Sequence, residues 1–439
     1  MHRPDQLIRL AALACLAAFV APRLHAANWQ VSRVNHATLA LPEGVTAAEM
    51  SGVSYLGPVG AYHRFIAAEE TKGELIQFDL AIDPTGAITG TTNVSSISMS
   101  PLEDLEDYEG IAYTNPTRDS VFLSDEDALG AGDRVGIREV SLATGVELQS
   151  VAIPAVFANR RANFGFESLT RATTGNAMWT ANEEALTVDG PLATATVGST
   201  VRLLELPVAG NAVSAGRQFA YVTQPIHGFA ISQSRSGLSD LVAMPDGTLL
   251  ALERSLALTS PAYLNRIFEI DYSAATDVSL PPFASGLAST TYAPVAKELL
   301  WSGAADGGAG QNLEGLSLGP QLPNGLWVLI GVVDDGDEFS GNTVVAFTAT
   351  AIPSADFDAD GDTDGADFLQ WQRSVGQTIG ASFQNGDATR DGAIDNEDLE
   401  AWRQEFPATA STASAIPEPA SAASFVIALT ALILTSRRR

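Results

Sequence analysis

One cysteine, Cys15, occurs in the 439 residues, and it lies near the start. The body of the chain therefore has no disulfide, no thiol nucleophile and no cysteine metal ligand, so its stability must come from packing, with bound metal as a further candidate source. Basic residues are scarce, with 24 Lys+Arg against 52 Asp+Glu and a net charge of −28. Such a balance excludes nucleic acid as a partner and favours cations. Histidine is rare too. His36, His63 and His227 are the histidines beyond the first 27 residues, and none stands in an HExxH-type pair. Zinc, haem and histidine-phosphatase chemistry thus lack a ligand or nucleophile set. What is plentiful is glycine and proline, 38 and 22 residues, which fits an all-β fold with many turns.

Both ends carry addresses. Residues 1–27 read as a secretory signal, with Arg3 and Arg9, an apolar stretch Leu10–Val20 and a small-residue exit at Leu24-His25-Ala26. A lipoprotein reading of Leu13–Cys15 has only a very short apolar run before it. At the other end, after a linker over 407–415, Pro417-Glu418-Pro419 precedes an uncharged run from Ala420 to Ser436 and then three arginines. That run is just long enough for a spanning helix, with its basic end cytoplasmic. The order of motif, helix and arginines over 416–439 resembles a PEP-CTERM sorting signal. The resemblance implies an exosortase-type processing enzyme and retention at the cell envelope, surface or extracellular matrix; a plain tail anchor is the alternative.

Residues 353–406 form a separate module with two acidic 12-residue loops. DFDADGDTDGAD holds Asp356, Asp358, Asp360, Asp362, Asp364 and Asp367, and DATRDGAIDNED holds Asp387, Thr389, Asp391, Ala393, Asp395 and Asp398. Each has glycine at position 6 and runs into an apolar-periodic helix. This spacing wraps six or more hard oxygens around a Ca²⁺ ion, Asp362 and Ala393 contributing backbone carbonyls at position 7. Thr363 replaces the apolar residue expected at position 8 and predicts a looser first loop. The pair resembles dockerin type I repeats, which implies a cohesin-type partner or an exopolymer; a calcium-stiffened spacer is the other reading.

Over residues 28–350 one figure recurs: an apolar run, a turn, a second apolar run and a cluster of acids. Its copies open at Ser51, Glu109, Glu167, Ser239 and Glu314, spaced by 58, 58, 72 and 75 residues. Repeats of three or four short strands at such periods predict a β-propeller, here of five to six blades. The segment Trp29–Leu41 is expected to pair with the last blade and close the ring. First strands line the channel, so Glu109, Glu167 and Glu314 are expected at one mouth, with Asp240 beside them. The acids closing the second strands, Glu69, Asp125, Glu183, Glu253 and Asp335, are expected at the same end, either in the site or as packing devices between blades.

DYEGIAY, VFLSDED, NFGFESLT, SDLVAMPDGTLLALER, RIFEID and NLEGLSLGP, in this order over about 48–349, resemble the phytase-like (esterase-like phytase) family. The resemblance implies a secreted propeller and hydrolysis of phosphate or carboxylate esters. It maps catalytic roles onto Glu109, Glu167, Glu183, Asp240, Glu253, Arg254 and Glu314. A further cation in the channel would grip the ester oxygen, Glu183 would take a proton from water, and Arg254 would pair with the substrate anion. GVVDDGDEF departs from the family's longer aspartate-asparagine motif. A rival reading is a non-catalytic calcium-binding propeller for envelope or exopolymer components. GLSLG at Gly315–Gly319 matches a nucleophile-elbow pattern but falls inside a first strand, not at a strand-to-helix turn.

Overall fold

A computed structural model describes residues 28–41, 49–70, 73–99, 107–115, 118–126, 136–337, 339–358 and 362–406. The expected export signal, the linker at 407–415, the sorting segment and Asp360 lie outside them. Among the described residues no helix is long and apolar enough to cross a membrane.

Alternating apolar residues and frequent turns produce five antiparallel sheets in succession. Blade 1 comprises Met50–Val59, Tyr62–Glu69, Glu74–Ile82 and Ile88–Ser98; blade 2 comprises Tyr108–Asn115, Ser120–Asp125, Gly136–Ser141 and Glu147–Ser150. Blade 3 is built on Thr170–Arg171, Ala177–Ala181, Thr200–Ala209 and Gln218–Val222, with a short added pair at Ala212–Val213. Blade 4 follows with Arg235–Ala243, Leu249–Leu256, Tyr263–Asp271 and Ala296–Gly303. Blade 5 has Asn312–Gln321, Trp327–Asp334 and Thr343–Ala351, and its fourth strand is the N-terminal Trp29–Thr38. This last pairing, from Trp29 opposite Ala351 to Thr38 opposite Thr343, closes the ring as expected. The fold is a five-bladed β-propeller. The extra length of the longer periods lies mainly in connections around 182–199 and 272–295, not in a sixth sheet.

The core is divided into wedges between neighbouring blades. Met50, Phe65, Phe78, Val328 and Ile330 fill the wedge between blades 1 and 5; Phe122, Phe166, Met178 and Leu204 fill that between blades 2 and 3. Each fully buried large side chain contributes about 1.5–3 kcal/mol. The inner strands approach more closely than side chains allow. A Cβ on Gly52 would lie 2.3 Å from Glu109 O, one on Gly110 2.4 Å from Leu169 N, and one on Gly315 2.4 Å from Ser51 O. The glycine that follows Ser51, Glu109 and Glu314 is thus required by contact with the next blade, not by turn geometry.

The 353–406 segment forms helices α1 (Gly365–Ser374) and α2 (Asn396–Glu405). Asp364 and Asp395 cap them, and Asp367 and Asp398 return the bond at the third helical position. Phe357, Trp371, Ile394 and Ala401 make a small core of their own. Thr363 is not an unfilled packing position: its hydroxyl donates to Glu405 Oε2 at 3.2 Å.

Candidate functional site

Strand register decides which acids meet. Met50 faces Glu69, Tyr108 faces Asp125, Phe166 faces Asn182, Leu238 faces Glu253 and Leu313 faces Val333. The residues one step on, equivalent in all blades, are Ser51, Glu109, Glu167, Ser239 and Glu314 from the first strands. From the second strands come Glu70, Glu126, Glu183, Arg254 and Asp334. In four blades the pairing slips at this place: between Met50 and Val53, Tyr108 and Ile111, Leu238 and Asp240, and Leu313 and Gly315. A bulge breaks the simple alternation of faces and re-aims the side chain at that step.

Two tiers of five positions therefore present seven carboxylates and one guanidinium at one mouth of the channel. Carboxylate oxygens of Glu109, Glu126 and Glu167 lie within 4.8 Å of one another, as do those of Glu70, Glu314 and Asp334. Asp107, on the same face as Glu109, joins Glu70 and Glu109 in a third such group. Room for this crowding comes from glycines: a Cβ on Gly237 would lie 2.7 Å from Glu183 Cγ, and one on Gly165 2.8 Å from Glu126 Cβ.

The charge balance is uneven. Arg254 Nη2 donates to Glu183 Oε1 at 2.8 Å, while Nη1 bonds Glu314 Oε1 and donates to Asn312 Oδ1 at 2.8 Å. Burial works against its charge, but Glu314, Glu183 and Glu167 outweigh that and hold the guanidinium protonated. Asn312 also donates to Asp334 Oδ2 at 2.8 Å, and Gly165 N donates to Glu126 Oε2 at 3.0 Å. Glu167 Oε1 is 4.0 Å from Arg254 Nη2. Glu109 is 3% exposed and stands in both of its carboxylate groups without a basic neighbour among them. The buried Oε2 atoms of Glu183 and Glu314 have no hydrogen-bond partner among the described residues.

Burial first, and neighbouring carboxylates second, push Glu70, Glu109, Glu126 and Glu167 well above the ordinary carboxylate range. Burial lifts Glu314 to about 7, against the pull of Arg254. Carboxylates crowded this closely need either protons or cations. The donor set is all oxygen, which suits calcium or manganese and not zinc.

The structure brings Glu109, Glu167, Glu183, Arg254 and Glu314 together. It does not bring Asp240 or Glu253 with them. Asp240 occupies the position of the inter-blade glycines, and its carboxylate accepts from Leu241 N at 2.8 Å and Leu316 N at 2.7 Å. Glu253 points between blades 3 and 4, accepting from Tyr221 Oη at 2.6 Å and Gln224 N at 2.8 Å and pairing with Lys297. Asp125 pairs with Arg138 at 3.2 Å, and Asp335 accepts from Glu49 N at 3.0 Å. Their neighbours Glu70, Glu126 and Asp334, missed in the sequence, take the ring positions. The signal for them was adjacency, since each follows or precedes a selected acid by one residue. Ser317 sits in its strand with Oγ donating to Leu318 O at 3.3 Å.

In the C-terminal module, Asp356, Asp358 and Asp367 bring oxygens within 4.8 Å. In the second loop, Asp387 accepts from Gly392 N at 2.9 Å and Asp391 N at 3.2 Å, while Asp398 accepts from Thr389 N at 3.0 Å. Asp362 and Ala393 hold the seventh loop positions, and Asp364 and Asp395 the ninth.

A propeller whose inner strands end in a ring of carboxylates is the class that fold and site define. The model of the phytase-like family, described as esterase-like activity of phytase, matches residues 49–337, and the chain belongs to that family. No curated protein matches the chain. Among solved structures it is similar to an endo-arabinase from Bacteroides thetaiotaomicron, at 12% identity and TM-score 0.36, over 70% of this chain and 96% of that one. It is also similar to the α-L-arabinofuranosidase Arb93A from Fusarium graminearum, at 9% identity and TM-score 0.36, over 72% and 97%. A hypothetical protein from Leishmania major matches at 10% identity and TM-score 0.29, over 72% and 90%.

Proposed function

We propose that the acidic mouth is the active site of a cation-assisted hydrolase of phosphate or carboxylate esters. The observation that carries this reading is Glu109, a buried carboxylate shared by two groups of carboxylates whose oxygens lie within 4.8 Å of one another. Glu109, Glu126 and Glu167 would hold a divalent cation such as Ca²⁺. When bound, it supplies positive charge for an ester oxygen and acidifies water. Glu70, whose carboxyl is pushed well above the ordinary range by burial and by Glu314, is the proton donor to the leaving group. Glu183, with its free Oε2 buried in the ring, accepts the proton of the attacking water. Arg254 is saturated by Glu183, Glu314 and Asn312, so it positions carboxylates and does not itself grip substrate.

The same saturation favours the second reading, a calcium-binding propeller without catalysis that engages envelope or exopolymer components. The two readings separate on the full chain with p-nitrophenyl phosphate, bis-p-nitrophenyl phosphate and p-nitrophenyl butyrate, each with Ca²⁺ and with chelator. Hydrolysis that needs the cation and falls about 100-fold or more in Glu109→Gln and Glu167→Gln supports the hydrolase. A wild type inert on every ester leaves only the binding reading.

The two acidic loops are read as dockerin-like Ca²⁺ sites, and the terminal segments as export and PEP-CTERM-type sorting signals. Together they suit a protein handed to an exosortase-type enzyme and kept at the surface, with a cohesin-type partner or exopolymer as the module's target. Loss of surface retention on deleting 416–439 tests the address.

A further inference from the structure

The second acidic loop contains one basic residue, Arg390, between Thr389 and Asp391. Its backbone is left-handed, at φ 58°, and its side chain leaves the loop for the propeller. Nη1 lies 2.6 Å from Asp246 Oδ2, Nη2 bonds Asn28 Oδ1, and Cζ sits 4.4 Å above the Phe383 ring. Both side chains of the Arg390–Asp246 pair are 3% exposed. Asp246 belongs to the turn between the two inner strands of blade 4, where it also accepts from Thr248 N at 3.0 Å and Trp29 Nε1 at 3.2 Å. Asn28 opens the ring-closing strand. Its backbone N and its side-chain amide donate to Glu269 of blade 4 at 2.8 and 2.7 Å. Loop, blade 4 and closing strand thus meet at one buried ion pair.

We infer that the second loop is a calcium-dependent clamp that fastens the C-terminal module to the propeller and holds the ring-closing strand in place. The inference rests on the proposed calcium reading of the loops. The aim of Arg390 is set by its loop, through the amides of Thr389, Asp391 and Gly392 bonded to Asp398 and Asp387. Without an ion, Asp387, Asp391 and Asp398 repel one another and the loop loosens. A guanidinium buried with a single carboxylate tolerates little displacement, because each charge left alone in the interface is costly. With the ion bound, the loop presents Arg390 already in its docked geometry.

Hydrogen exchange on the full chain, with Ca²⁺ and with chelator, tests this. Calcium should slow exchange about tenfold or more at 387–398 and also at 28–31 and 246–250. In Arg390→Ala the local effect should persist and the remote effect vanish. Asp246→Asn, which alters only the propeller side, should give the same split and serves if Arg390→Ala fails to fold. Remote protection that survives both substitutions overturns the clamp. Wild-type protection confined to 387–398 overturns the clamp and leaves the calcium reading intact, whereas no protection anywhere overturns both.

Discussion

Asp240 accepts backbone hydrogen bonds at 2.7 and 2.8 Å, whereas Glu109, equally buried, lies within 4.8 Å of carboxylate oxygens of Glu70, Asp107, Glu126 and Glu167. The first carboxylate ties blade 4 to blade 5; the second is crowded by like charge. Asp240→Ala leaves buried amides unpaired and should cost about 2–5 kcal/mol, with Asp240→Asn costing less because one acceptor oxygen survives. Denaturant unfolding measures both, and cation binding at the mouth should persist in the folded fraction. Glu314 supplies a pH prediction. Its pKa is raised on folding from 4.5 to about 7, chiefly by burial, so the folded chain holds that proton more tightly than the unfolded chain. The stability contribution is complete below the unfolded value and is lost as pH climbs to the folded one. Cation-free protein should therefore melt at progressively lower temperature between about pH 4.5 and 7. Calcium should flatten that slope, and a melting temperature that rises with pH in chelator would contradict the charged-ring account.

At the scale of the strand, the acid-glycine pairs have a mechanical role. Gly110→Ala would drive a Cβ to within 2.4 Å of the backbone of Leu169 and Ser168, with no flexible side chain to yield. It should destabilise by about 1–3 kcal/mol or more, read from the shift of the denaturation midpoint. Gly90→Ala is the control, since its nearest neighbour would be Ala81 Cβ at 3.8 Å. Gly237→Ala acts differently. It pushes on Glu183, so its expected signature is weaker cation binding at the mouth together with a smaller loss of stability. The repeated figure, the turns and the closing strand were legible in the sequence because strand periodicity and glycine-rich turns are local properties. The choice between Glu69 and Glu70, or Asp125 and Glu126, was not. It depends on a bulge that falls at the site itself, and period-two reasoning fails by one residue there.

For the whole molecule, closure is the cooperative event. The strand Trp29–Thr38 joins the start of the chain to Thr343–Ala351, and Asn28 and Trp29 also bond Glu269 of blade 4. Deleting residues 28–38 should expose the edge of blade 5 and yield aggregates or edge-paired oligomers in size-exclusion chromatography. A monomer with unchanged melting would show that the ring does not need this strand. The sequence by itself determined that the chain forms a ring of repeated blades, that acids gather at one end of it and that two further acidic loops follow. These follow from composition, periodicity and spacing, which act within a few residues. Only the tertiary structure decided that five blades suffice, that Glu70, Glu126 and Asp334 stand in the ring while Asp240 and Glu253 serve packing, and that Arg254 is already spent on its neighbours. Those outcomes depend on register between strands and on residues tens to hundreds of positions apart, which meet only when the ring closes.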